Sequence, residues 1–133
     1  MIPVNDYSYL YFNIPRNINL ENKNYEEFKK KYNKKYIVIN EDESRNFKIN
    51  RDYFQKDYLI FNINKSSDIL FDMIKILENS EEIHTISTFW SLIILFLQKK
   101  FNLFKNKKIY FHNYVRNGYY YNLYSKSNWI KIL

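Results

Sequence analysis

A chain of 133 residues, 46% hydrophobic and 20% aromatic, has the material for one hydrophobic core and reads as a single domain over 1–133. Asn, Ile, Lys and Tyr supply about half of it, with one glycine, Gly118, and neither alanine nor cysteine. The lone glycine excludes Gly-rich phosphate loops and dinucleotide fingerprints, which need several residues without a Cβ. The missing cysteines exclude disulfides, thiolate nucleophiles and Cys-ligated metal centres. The four favoured residues share AT-rich codons, so part of the skew reports an AT-rich genetic element and not a task.

The first residues, Met1-Ile2-Pro3-Val4-Asn5-Asp6, lack the basic start and apolar run of a secretory signal, which gives the expectation of an intracellular, non-secreted protein, cytoplasmic or organellar. Residues 8–14 are aromatic and β-branched and end at Pro15, the pattern of a strand. Asn24 is placed to cap a helix over 25–32, with glutamates in its first turn and lysines in its last. The apolar run 36–39 suits a buried strand. Residues 41–45 (EDESR) read as a solvated turn, 47–49 as a weak strand and 58–63 as a further strand.

Ile69, Leu70, Met73, Ile74 and Leu77 recur at helical spacing and predict an amphipathic helix. A second, longer helix is expected over 81–104, about 36 Å long at 1.5 Å per residue, with Ile83, Ile86, Trp90, Ile93 and Leu97 on one stripe that extends to Phe101 and Phe104. Its apolar stretch 89–97 is too short for a membrane span, which needs roughly 20 residues. Being apolar nearly all round, it must be covered on both sides, by a sheet and by a helix or another protein. Strands follow over 108–115 and 119–124, joined at Asn117-Gly118, the strongest short hairpin signal. Residues 129–133 add a last strand. The expected fold class is therefore α+β: a mixed or antiparallel sheet, two central helices and a C-terminal β-hairpin.

The net charge of +7 is the property of one segment. Residues 98–133 hold eight lysines and arginines and no acid, whereas 1–97 hold 13 basic and 14 acidic groups. The same segment is rich in tyrosine. Cations beside aromatic rings neutralise phosphates and stack bases, so RNA or DNA is the expected partner. Lys105, Lys107, Lys108 and Arg116 are the phosphate candidates, and Tyr119, Tyr121 and Tyr124 the stacking candidates. A lysine-rich face that is merely solvated is the plain alternative, but the complete absence of acids from the segment argues for a partner.

Catalytic signals are thin. Glu81 and His84 have a Glu-x-x-His spacing, yet carboxylate-bridged metal sites need it twice. His112 has no carboxylate near it in sequence to orient it. No metal, cofactor or catalytic residue is expected. The reading is a non-catalytic basic accessory subunit of a nucleic-acid machine, in transcription or translation, held within a larger protein complex. Its rival is an inhibitor or immunity-type module that blocks an acidic protein surface, with Trp90, Tyr120 and Trp129 as anchors.

Overall fold

Four consecutive apolar residues, Tyr36–Ile39, form β1, and all four are buried. A strand hidden on both faces is the mark of a parallel sheet, whose crossovers cover it from two sides. The computed structural model describes residues 15–54, 57–65, 70–116 and 127–133. Across these, five strands form one sheet in the order β2-β1-β3-β4-β5, with β2 at Leu59–Asn62, β3 at Glu82–Thr85, β4 at Lys108–His112 and β5 at Ile130–Ile132. Every pairing is parallel: Tyr36 opposes Leu59, Val38 opposes Ile83, Ile83 opposes Ile109 and Tyr110 opposes Ile130. The fold is α/β.

This corrects the expected α+β architecture with its antiparallel or mixed sheet and C-terminal hairpin. The physical reason lies in β4. Its two edges are taken by β3 and β5, so no edge is left for an antiparallel return strand. Residues 129–133 do supply a strand, but one parallel to β4. The turn at Asn117-Gly118, the strand over 119–124 and the strand over 8–14 lie outside the described residues.

Among the described residues, three α-helices lie on one face. α1 (Ile18–Tyr32) starts earlier than Asn24: the Asn17 side chain accepts from the Leu20 amide at 3.1 Å. Arg16 then clamps the buried Glu21 of the first turn at 2.6 Å. Phe28 of α1 meets Tyr36 and Phe61 edge-on, with ring centroids 4.7 and 4.9 Å apart. The helix expected from Ile69 resolves into a 3₁₀ turn, Leu70–Met73, and the short α2, Ile74–Glu78. Met73, Ile74, Ile76 and Leu77 join Val38, Ile83, Ile93, Phe111 and Trp129 in the main core.

The single helix expected over 81–104 is instead β3 followed by α3 (Phe89–Phe101), 13 residues and about 20 Å long. Ile83 and Thr85 point to the helix-covered face while His84 points to the other, a period of two that the helical stripe concealed. β-Branched Ile83, Thr85 and Ile86 favour the extended backbone. Thr88 then restarts the chain as a helix: its hydroxyl accepts from the Ser91 amide at 3.3 Å, and the Ser91 hydroxyl accepts from the Thr88 amide at 3.1 Å. Residues 91–97 are buried within this chain, whereas Phe89, at the start of the apolar stretch, is 70% exposed. Among the described residues no helix is long and apolar enough to cross a membrane.

The opposite face carries Ile37, Ile39 and Ile86, covered by Ile49 and Phe54 from the β1–β2 connection. Residues 47–49, expected as a strand, form part of this cover; Phe47 makes one isolated bridge with Asp42. The β1–β2 connection moves one way along the sheet, and the α2 and α3 connections move the other way. Right-handed crossovers require these to use opposite faces, as they do.

Candidate functional site

The strand order reverses between β1 and β3. In open parallel sheets this switch point opens a crevice at the carboxyl ends of the strands, because the two connections leave in opposite directions. Here β1 runs into Asn40 and Glu41, and β3 runs into residues 86–88 and the start of α3.

Asn40 is fully buried and ties the end of β1 to the end of β3 and the start of α3. Its Oδ1 accepts from the hydroxyls of Thr85 at 2.8 Å and Thr88 at 2.7 Å, and its Nδ2 donates to Asn64 Oδ1 at 2.9 Å. Glu41, expected in a solvated turn, is 0% exposed. A carboxylate so placed needs compensation. Arg51 supplies a two-pronged pair, Nη2 to Oε1 at 2.6 Å and Nη1 to Oε2 at 2.9 Å, and the Ile49 amide donates at 2.8 Å. The Glu41 bond holds the Arg51 guanidinium above its ordinary pKa. The Arg51 side chain is nevertheless 48% exposed and lies over the Phe54 ring at 5.6 Å. It is a fixed cation with a face open to solvent.

Arg116 joins the same edge, its guanidinium 5.2 Å from the Phe47 ring. Tyr53 and Tyr114 are both exposed, with ring centroids 5.8 Å apart. Beneath them lies a pair of buried histidines. His84 Nδ1 and His112 Nε2 are 2.8 Å apart, His84 Nε2 is 3.2 Å from Glu82 Oε1, and His112 Nδ1 is 3.2 Å from the Tyr114 hydroxyl. That hydroxyl accepts from the Asn50 amide at 2.9 Å. Burial lowers the pKa of both imidazoles, that of His112 to about 3 with the neighbouring His84 adding to the effect.

Of the expected phosphate contacts, Arg116 alone stands at this edge. Lys105, Lys107 and Lys108 lie at the amino edge, where Lys108 opens β4 and His112 closes it, a separation of about 13 Å along the strand. There they line an open groove with Glu78, Glu81 and Glu82. Lys107 donates to the Ser80 carbonyl, and burial lowers its pKa. Tyr119, Tyr120, Tyr121 and Tyr124 lie outside the described residues. Trp129 is 3% exposed and its indole N–H donates to Gln98 Oε1 at 2.8 Å, so it belongs to the core. Trp90 packs, half-buried, against the same core.

Sequence reasoning missed Asn40, Glu41, Arg51, Tyr53, Thr88 and Tyr114. The signal available for Asn40 and Glu41 was their position directly after an apolar strand, and for Thr88 its spacing from Ser91. Among the described residues no group of three His, Asp or Glu is arranged to hold a metal ion. Comparison with protein-family models, curated proteins and solved structures yields no match.

Proposed function

We propose that this chain is a ligand-binding α/β domain whose site is the carboxyl-edge crevice between β1, β3 and β4, and that the ligand is a small phosphate-bearing molecule with a flat ring, a mononucleotide being the simplest. The observation that carries this reading is the convergence at the strand-order switch point of Arg51, fixed by buried Glu41 and open to solvent. Arg116 adds a second cation, and the first turn of α3 adds backbone N–H groups at the positive end of a helix dipole. Tyr53 and Tyr114 offer exposed rings for stacking. Phosphate would be met by guanidinium groups and not by a glycine-rich loop, in keeping with a chain that has one glycine.

Titration with AMP, ADP and ATP, followed by calorimetry, tests the reading. Saturable one-to-one binding that weakens about tenfold or more in Arg51→Ala supports it. Absence of binding, or an unchanged affinity in Arg51→Ala, contradicts it.

The acid-free segment 98–133 favours a second reading, in which the chain is a non-catalytic accessory subunit that contacts RNA or DNA. Its mark would be binding to a polynucleotide, but not to mononucleotides, with an affinity that falls steeply with salt.

A further inference from the structure

The hydrogen-bonded chain from Glu82 through His84, His112 and Tyr114 to Asn50 crosses the sheet face from its amino edge to its carboxyl edge. Burial keeps both rings neutral, so each has one N–H and one bare nitrogen. The direction of the chain then follows from its ends. An ionised Glu82 can only accept, so His84 carries its proton on Nε2. The bare Nδ1 of His84 must accept from His112 Nε2–H, and the bare Nδ1 of His112 must accept from the Tyr114 hydroxyl. The phenolic oxygen keeps a lone pair for the Asn50 N–H. The reverse order would set a bare nitrogen against the carboxylate.

Both ends are braced. Tyr110 donates its hydroxyl to the second Glu82 oxygen at 3.2 Å and stacks on His84 with centroids 4.5 Å apart. Phe54 meets His84 edge-on at 4.7 Å, and Tyr53 meets His112 edge-on at 5.2 Å. Asn50 in turn caps the turn Arg51–Tyr53, its side chain accepting from the Asp52 amide at 2.9 Å.

The geometry points to Glu82, His84 and His112 as positioning residues for the candidate site: the Glu82 charge orders the protons along the chain and thereby orients the Tyr114 hydroxyl that holds Asn50 and the turn bearing Arg51 and Tyr53. The inference rests on the carboxyl edge being the ligand site, yet its test needs no ligand, so its failure and the failure of nucleotide binding are separate results.

The two histidines are the only ones in the chain, which makes long-range proton–nitrogen NMR of the imidazoles the direct readout. The wild-type chain is expected to show one tautomer at each ring, with Nε2 protonated and Nδ1 bare. Glu82→Gln keeps the size but offers either a carbonyl or an amide N–H to His84, so it permits both directions and should give mixed tautomers at both rings. Tyr114→Phe removes the acceptor for Asn50, and the Asn50 amide should exchange about tenfold faster while the amides of β1 stay unchanged. An Nδ1–H ring in the wild type, an unmixed pattern in Glu82→Gln, or an unchanged Asn50 amide in Tyr114→Phe each overturns it. Should Glu82→Gln fail to fold, the wild-type tautomers decide.

Discussion

His84 and His112 stand 28 positions apart in the chain, and each looks isolated there; parallel pairing of β3 with β4 brings their ring nitrogens to 2.8 Å. That contact has a consequence for pH. Both imidazoles have folded-state pKa values below the unfolded value of about 6.5, His112 near 3. In the window between these values the unfolded chain binds more protons than the folded one, so stability rises with pH there. The stability is fully present above about 6.5 and is lost as pH falls toward the folded values, on the order of 1.4 kcal/mol per pH unit for each proton taken up. Urea midpoints measured from about pH 7 down to about pH 4 should fall accordingly, and His112→Asn should flatten the slope while lowering the plateau. An equal case of invisibility is Glu41. Within the run EDESR it looks solvated, and only the position of Arg51, ten residues on, explains how it is buried. Arg51→Ala leaves that carboxylate with the Ile49 amide and the more distant Asn62 as partners, and should destabilise the fold by about 1–3 kcal/mol in urea unfolding.

At the scale of elements, the apolar run of β1 was legible in the sequence because burial on both faces leaves no polar interruption. The region 81–104 was not. Ile83, Ile86, Trp90, Ile93 and Leu97 fit a helical stripe, and alternation over four residues is too short a signal to compete with it. The break is made by Thr88, which does two things at once: it caps α3 and gives its hydroxyl proton to buried Asn40. Thr88→Ala should therefore cost more than a simple cap, about 2 kcal/mol or slightly above, while Thr88→Ser should keep most of the stability. Thermal or urea denaturation of the pair measures the difference. The hairpin expectation failed for a different reason. Asn-Gly signals a local turn, but strand partners are chosen by distant pairing, and β4 found both of its partners elsewhere along the chain.

For the molecule as a whole, the sequence showed where the positive charge lies along the chain but not where it lies in space. Three lysines of the basic segment fall at the amino edge among glutamates, and Arg116 falls at the carboxyl edge, so charge that is contiguous in sequence is divided by the length of β4. The candidate site is assembled from residues on four separate stretches of chain, which is why no motif announces it. A parallel sheet also predicts an order of stability: β1, β3 and β4, paired on both edges, should exchange their amides most slowly, and β5, paired with β4, faster. The central claim is that the carboxyl-edge crevice holds a small phosphate-bearing ligand. Amide chemical-shift mapping during an ADP titration tests it most directly. The account predicts saturable shifts confined to residues 40–41, 49–53, 87–91 and 113–116; shifts centred on residues 105–108, or none at any concentration, would contradict it.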